Sequence, residues 1–179
     1  MIKLVILDVD GVLTDGTKIT DVEGKSISKK FNDKDFVAIK KLQASGILVC
    51  FLSGDKNINE AVAKKRSIDF YHANTSTGHM NKKDFLPMLF EKYGSNKDTT
   101  VYVGDDYIDV PVINELFHTY CPSDSSNCVI NIVKRMLIRK GGTGVVSELY
   151  DELVDEHLIN ECTFEQFLEV DKAEKEKRK

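Results

Sequence analysis

The sequence has no tryptophan, only three prolines and four cysteines, no excess of positive charge and no long apolar stretch. A net charge of −4 provides no general attraction to nucleic acid, so binding to nucleic acid is not expected. No apolar run approaches the roughly 20 residues that span a bilayer, so no membrane association is expected. The chain begins directly with a strand pattern, without the features of a secretion signal, which indicates a cytoplasmic protein.

The cysteines are Cys50, Cys121, Cys128 and Cys162, and their spacing matches no zinc-binding pattern. Cys50 lies in the apolar stretch GILVCFL, so we expect a buried core thiol. A framework of disulfides is not expected in a reducing compartment. The cysteines therefore indicate neither a metal centre nor a secreted, disulfide-bonded domain.

Apolar strand-like stretches alternate with amphipathic helical ones along most of the 179 residues. KLVILDV and ILVCFLS are typical of buried strands, whereas DFVAIKKLQASG places Phe36, Ile39 and Leu42 on one helical face. This alternation predicts an α/β fold, in which a Rossmann-like parallel sheet carries helices on both faces.

One segment interrupts the alternation directly after the first strand. Two short extended stretches flank the turn sequence DVEG. They predict a β-hairpin formed by Thr17–Thr20 and Ser26–Phe31, inserted at about residues 17–31.

The chain changes character after Asn160. Thr163 and Gln166 form a capping-box pattern at the start of a short amphipathic helix. We therefore expect one domain over residues 1–160, followed over residues 161–179 by a C-terminal helix and a charged tail. The final DKAEKEKRK is expected to be solvated and frayed.

Two groups of carboxylates follow apolar strands. Asp8 and Asp10 end the first strand, and side chains two residues apart on an extended segment point the same way. Asp105, Asp106 and Asp109 follow the strand pattern TTVYV. Ligands of parallel α/β sheets bind outside the carboxyl ends of the strands, and hard oxygen ligands suit Mg²⁺. The two groups therefore predict a shared magnesium site.

Two further segments suit the binding of a phosphate. Ser53 and Gly54 follow the second strand, where a hydroxyl and a free backbone N–H before a helix can hold phosphate oxygens. Lys82 lies at the start of a predicted helix, where its ammonium could neutralise a phosphoryl group.

The acidic and phosphate-binding segments described above, taken in chain order, resemble the four motifs of the haloacid dehalogenase superfamily of phosphohydrolases. DVDGVLT (Asp8–Thr14) resembles the first motif, and Ser53 resembles the second. Lys82 resembles the third, and GDD followed by Asp109 resembles the fourth. The resemblance covers about residues 1–153.

Longer stretches resemble one capless branch of that superfamily. DVDGVLTDG, KKFNDKD and RKGGTGVVSEL are similar to the 3-deoxy-manno-octulosonate 8-phosphate phosphatases and the sialic-acid-type 9-phosphate phosphatases, and also to the phosphatase-like module of animal CMP-sialic acid synthetases. The resemblance implies a homotetramer assembled through the hairpins, with a neighbouring subunit helping to close each site. Only 36 residues separate Gly16 from Ser53, and 28 separate Ser53 from Lys82, which leaves no room for a cap domain.

The resemblance also assigns roles in catalysis. Asp8 would attack phosphorus and form an aspartyl-phosphate, and Asp10 would act as general acid and then general base. In the family, the helix after the catalytic lysine carries an apolar pair before Glu-Lys. LFEKY (Leu89–Tyr93) matches that pattern if Lys82 is the catalytic lysine, and Lys83 is the alternative.

The implied magnesium site uses the acidic groups described above. The Asp8 carboxylate, the Asp10 carbonyl and the Asp105 carboxylate would bind Mg²⁺, and Asp106 and Asp109 would hold its waters or complete the shell. Ser53, the Gly54 N–H and Lys82 would bind the phosphoryl oxygens.

The implied substrate is a 2-keto-3-deoxy sugar acid phosphate, and the residues expected to determine specificity are Asp55, Lys56 and Arg66. The alternatives are a phosphatase for an unrelated small phosphoester and a catalytically idle oligomerisation module of the same fold. His79 is expected to be an exposed loop histidine, the alternative being a substrate contact. GGTG (Gly141–Gly144) is expected to form a flexible turn that packs near a neighbouring subunit's site.

Overall fold

The computed structural model describes residues 1–73 and 81–177, which fold around a six-stranded parallel sheet. In chain order the strands are β1 (Leu4–Leu7), β2 (Ile19–Thr20), β3 (Ser26–Ser28), β4 (Leu48–Ser53), β5 (Asp69–His72), β6 (Thr100–Val103), β7 (His118–Cys121) and β8 (Arg135–Met136). The large sheet has the order β5-β4-β1-β6-β7-β8, and β2 and β3 form a separate antiparallel hairpin. The predicted α/β fold with a hairpin after the first strand is confirmed.

The helices cover both faces of the sheet. They are α1 (Asp33–Ala44), α2 (Asn57–Lys65), α3 (Leu86–Tyr93), α4 (Val110–Ile113), α5 (Asn127–Ile130), α6 (Val145–Asp155) and α7 (Phe164–Lys177). Within β1, Val5 and Leu7 pack in a core cluster with α1 and α6, while Leu4 and Ile6 pack in a second cluster with α3 and α4. Burial on both faces explains why β1 is a continuous apolar run.

The hairpin is shorter than the sequence predicted. Its turn is held by Asp21, whose Oδ1 accepts from the backbone N–H groups of Glu23 and Lys25 at 3.0 and 2.9 Å. Ile19 and Ile27 are more than half exposed. The described part of the chain contains no cap domain, as the short spacings predicted.

Helix α7 corrects the expectation for the charged C-terminus in part, because the described residues of this run are helical although most of them are exposed as expected. Asp171–Lys177 continue the helix instead of fraying. Lys40 of α1 is buried, and its Nζ lies 2.5 Å from Asp171 Oδ1 and 3.1 Å from Glu174 Oε2. Two acidic residues of the charge run, Asp171 and Glu174, therefore have a buried cation from α1 as their partner, which the local sequence does not reveal. No helix among the described residues has both the length and the apolarity needed to cross a membrane.

Helices α1 and α6 are joined by a buried carboxylate. Gly144, the N-cap of α6, has no side chain to cap the helix, and Asp35 of α1 serves instead. Its Oδ1 accepts from the Val146 N–H at 2.7 Å, whereas its Oδ2 accepts no hydrogen bond from the described residues. Burial raises the pKa of Asp35 to about 6. This contact fixes the beginning of α6 next to α1.

Candidate active site

The predicted site residues meet at the carboxyl edge of the large sheet, around a cleft of about 490 Å³. Those that line the cleft are Asp8, Asp10, Ser53, Gly54, Asp55, Lys82, Asp105 and Asp106. Asp109 is fully buried beside it. Strands β1, β4 and β6 are adjacent in the sheet, so the segments that follow them are brought together by the topology alone.

Asp8 is buried directly after β1 and forms an ion pair with Lys82. The Lys82 Nζ lies 2.9 Å from Asp8 Oδ1 and 2.7 Å from Asp109 Oδ1. Burial raises the pKa of Asp8 to about 7, against the opposing effect of the Lys82 charge. Burial would lower the pKa of Lys82, but the charges of Asp8 and Asp109 outweigh it and raise that pKa. Of the two candidate lysines, Lys82 therefore enters the cleft, and Lys83 is exposed.

Asp105 approaches the first motif closely. A Cβ on Gly11 would lie 1.9 Å from Asp105 Oδ2, and Gly11 has a φ of +86°. Only glycine suits both the conformation and the space. Burial, followed by the charges of Asp8 and Asp109, raises the pKa of Asp105 to about 8. The Asp105 carboxylate lines the cleft and accepts no hydrogen bond from the described residues, so it is available to a ligand.

Asp109 is saturated with hydrogen bonds. Its Oδ1 accepts from the Lys82 Nζ at 2.7 Å and from the Tyr102 hydroxyl at 2.5 Å. Its Oδ2 accepts from the backbone N–H groups of Asp105 and Asp106 at 2.9 and 3.1 Å. The buried carboxylate thus orients the GDD turn and the lysine. Sequence reasoning did not identify Tyr102, which is concealed within an apolar strand.

The acidic cluster fits a divalent cation. Asp8, Asp105 and Asp109 each offer an oxygen within 4.8 Å of the others. Asp8 and Asp105 are the better ligands because Asp109 is already saturated. A dication would offset the mutual repulsion that raises the pKa of Asp105. Asp106 is exposed and caps the following turn, with its Oδ1 accepting from the Tyr107 N–H at 2.7 Å.

The segment after β4 is supported by a residue that sequence reasoning missed. Asn59, on α2, is completely buried. Its Nδ2 donates to Ser53 Oγ at 3.1 Å and to Asp10 Oδ2 at 3.0 Å. Ser53 Oγ also accepts from the Asp55 N–H at 3.2 Å. The sequence shows that Asn59 follows Ser53 by six positions, but it does not indicate a contact, because an asparagine in a helix is usually a solvated residue.

Two lysines of the hairpin segment were also missed as site residues. Lys29 Nζ lies 2.7 Å from Asp10 Oδ1 and 2.8 Å from Asp55 Oδ2, and Lys18 Nζ lies 2.9 Å from the same Asp55 oxygen. Although burial acts to raise the pKa of Asp55, the hydrogen bonds and charges of Lys29 and Lys18 lower it to about 2. Asp55 is therefore a partner of the hairpin lysines. The stretch KKFNDKD contains Lys29, but the sequence does not show that this lysine side chain turns back into the site.

The glycine-rich segment packs on its own chain's first motif. A Cβ on Gly141 would lie 2.1 Å from the Gly11 carbonyl oxygen. The Gly142 N–H donates to the Val12 carbonyl at 3.0 Å. The absence of side chains at Gly141 and Gly142 lets the two backbone segments touch, and this contact supports the turn that carries Asp8.

Lys56 and Arg66 do not line the cleft in this chain. Lys56 is exposed, and its Nζ lies 3.8 Å from Glu60. The Arg66 guanidinium instead contacts Asp33 at 3.2 Å and lies 4.0 Å from the centre of the Phe36 ring. His79 lies outside the described residues.

Comparison with known proteins finds relatives that share one described activity. The chain is 33% identical over 153 residues to 3-deoxy-D-manno-octulosonate 8-phosphate phosphatase KdsC from Haemophilus influenzae, covering 86% of this chain and 83% of the relative. The cobalt-bound structure of the deoxy-D-mannose-octulosonate 8-phosphate phosphatase from Haemophilus influenzae matches with a TM-score of 0.77 at 33% identity, covering 86% of this chain and 88% of that one. No family model matches the chain.

A third relative was solved with ligands. The 3-deoxy-D-manno-octulosonate 8-phosphate phosphatase from Moraxella catarrhalis, in complex with a magnesium ion, a phosphate ion and a KDO molecule, matches with a TM-score of 0.76 at 26% identity. The match covers 86% of each chain.

Proposed function

The chain belongs to the KdsC-like phosphatases of the haloacid dehalogenase superfamily, and we propose that it hydrolyses a 2-keto-3-deoxy sugar acid phosphate, either octulosonate 8-phosphate or a nonulosonate 9-phosphate. The observation that carries this proposal is the buried Asp8, paired with Lys82 at 2.9 Å and facing a cleft that Asp10 also lines. The names of the relatives support the class of substrate.

Asp8 and Asp10 would divide the chemistry between them. A carboxylate oxygen of Asp8 forms a bond to phosphorus while the bond from phosphorus to the sugar oxygen breaks, and Asp10 gives that oxygen its proton. In the second step Asp10 takes a proton from water, whose oxygen bonds to phosphorus as the bond to Asp8 breaks. Two adjacent carboxylates are needed because one must be ionised while the other holds a proton.

The transferring phosphoryl group would be held by Ser53, the Gly54 N–H and Lys82, which all line the cleft. Asp8, Asp105 and the Asp10 carbonyl would bind Mg²⁺, which when bound supplies positive charge against the phosphate. Asp109 would serve this arrangement by fixing Lys82, and Asp106 would face the waters of the ion.

We also propose that the protein forms a homotetramer through its hairpins. The support is a hairpin whose apolar side chains Ile19, Val22 and Ile27 are all more than half exposed in the single chain, Val22 completely. Such exposure is costly unless another surface covers it. Sedimentation equilibrium would test the proposal, because a monomer at all concentrations would contradict it.

A phosphomonoester without a carboxylate is the second candidate substrate. The described residues that line the cleft include Lys18 and Lys82 as their only cations and no arginine. Lys82 is already paired with Asp8 and Asp109. Among the described residues, the cleft of the single chain thus lacks a guanidinium that would bind a sugar carboxylate in a bidentate manner.

A phosphate-release assay with Mg²⁺ decides between the two. The panel contains octulosonate 8-phosphate, nonulosonate 9-phosphates, simple sugar phosphates and 4-nitrophenyl phosphate, with Asp8→Asn as the inactive variant. We expect release from one sugar acid phosphate, abolished by EDTA and by Asp8→Asn. Preference for a simple sugar phosphate would move the assignment to the second candidate, and activity in Asp8→Asn would contradict the mechanism.

A further inference from the structure

Lys29 has a fully buried side chain that contacts the site from the hairpin side. Its side chain is 0% exposed. Its Nζ donates to both oxygens of Asp10, at 2.7 and 2.9 Å, to Asp55 Oδ2 at 2.8 Å and to Asn59 Oδ1 at 2.9 Å. A buried ammonium is tolerated only when it is paired and hydrogen-bonded, so these contacts hold Lys29 in one place.

The same contacts hold the Asp10 carboxylate. Its Oδ2 accepts from Lys29 Nζ and also from Asn59 Nδ2, at 2.9 and 3.0 Å. Asn59 is itself fixed, because its Nδ2 also donates to Ser53 Oγ at 3.1 Å. Asp10 therefore lines the cleft with its orientation set by two buried donors, one from the hairpin segment and one from α2.

We propose that Lys29 is a positioning residue for Asp10. When the hairpin packs against the site, Lys29 orients the Asp10 carboxyl group, which acts as the general acid. This inference rests on the proposed function, in which an Asp8 oxygen bonds to phosphorus, the bond to the leaving oxygen breaks and the Asp10 proton passes to that oxygen. Lys29 touches none of the reacting atoms and acts through Asp10. Asp55 contributes because its Oδ2 also accepts from the Lys29 Nζ, at 2.8 Å.

A change of leaving group separates this role from a merely structural one. Phenolate is a stronger base than 4-nitrophenolate, so the departure of phenol depends more on a well-aimed general acid. The two aryl phosphates are otherwise alike, so the test does not depend on the natural substrate. The quantity kcat/KM reports the steps up to departure of the alcohol and excludes hydrolysis of the aspartyl-phosphate.

The test variant is Lys29→Met, which keeps the length of the side chain and removes its charge. We expect kcat/KM to fall roughly ten-fold more for phenyl phosphate than for 4-nitrophenyl phosphate, since a positioned general acid contributes about 10²–10⁴-fold. Lys30→Met is the matched control, because Lys30 is the exposed neighbour on the same segment. The control is expected to retain wild-type values with both esters.

Equal losses with both esters in a folded Lys29→Met protein would overturn the positioning role. If Lys29→Met fails to fold, Asp55→Asn decides, because it removes one partner of Lys29 at a partly exposed position. A selective loss with phenyl phosphate supports the proposal, and an equal loss or none overturns it. Asp8→Asn keeps the two proposals distinguishable: an inactive Asp8→Asn beside a non-selective Lys29→Met contradicts only the role of Lys29. If the wild type is inactive on both aryl esters, the variants are compared on the sugar acid phosphate that it hydrolyses, where an unchanged kcat/KM in Lys29→Met overturns the role of Lys29. Inactivity of the wild type on every sugar acid phosphate overturns the proposed function.

Discussion

Asp35 offers a prediction whose size follows from the structure. The residue is buried between α1 and α6, and one of its oxygens has no partner among the described residues. Burial raises its pKa from the ordinary 3.8 to about 6. The folded protein therefore binds the proton more tightly than the unfolded chain does. The stabilisation from the protonated form is complete below the unfolded pKa and is lost as the pH rises through the folded pKa.

The change from 3.8 to about 6 corresponds to about 3 kcal/mol, because each tenfold change in proton affinity is worth about 1.4 kcal/mol. Most of this, about 2 kcal/mol, is expected to be lost between about pH 4 and about pH 7. Asp35→Asn removes the titration and retains an oxygen that can accept from the Val146 N–H. The free energy of unfolding of Asp35→Asn, relative to that of wild type, should therefore increase by about 2 kcal/mol as the pH rises from about 4 to about 7.

Urea unfolding at the two pH values would measure this difference. Far-ultraviolet circular dichroism suits the assay because the chain has no tryptophan to report by fluorescence. All other titrating groups are present in both proteins, so their contributions to the pH dependence of stability cancel in the comparison. Asp33→Asn, at an exposed position on the same helix, is the control and should follow wild type. If wild type and Asp35→Asn lose stability in parallel, the cost of burying this carboxylate has been misjudged.

Three further predictions concern the cleft and α7. Gly11→Ala should abolish phosphate release, because the new Cβ would overlap Asp105 and strain a left-handed backbone; activity near that of wild type would contradict the close approach. Asp105→Asn should reduce the rise in melting temperature that Mg²⁺ produces by mass action, and an unchanged rise would place the ion elsewhere. Lys40→Met should release α7 to limited proteolysis because Asp171 loses a buried partner, and unchanged resistance would show that apolar contacts alone hold the helix.

The sequence was sufficient to predict the sheet, the hairpin and the residues at the strand ends. Strand β1 was recognisable because both of its faces are buried, which leaves an uninterrupted apolar run that ends abruptly at Asp8. Parallel topology then placed Ser53 and Asp105 beside it, since β4 and β6 flank β1. The convergence of these residues follows from the order of the strands and needs no knowledge of side-chain packing.

Most of the contacts that sequence reasoning missed join residues far apart in the chain. Lys29 and Asn59 have no local feature that distinguishes them from solvated residues, and each acquires its role only when the hairpin and α2 meet at Asp10. The docking of α7 was missed for the same reason, because a run of alternating charges is normally solvated. Its partner, Lys40, lies 131 positions before Asp171.

The alternating charges of Asp10, Lys29, Asp55 and Lys18 have a consequence for how this site could diverge. Asp55 forms ion pairs with two hairpin cations at once, since both ammonium groups lie within 2.9 Å of one of its oxygens. Exchanging it for arginine would bring three like charges together, so Asp55→Arg alone should be deleterious unless Lys18 changes as well. Substitutions at Asp55 and Lys18 are therefore expected to be coupled, and scanning single positions would overlook the pairs that the protein tolerates.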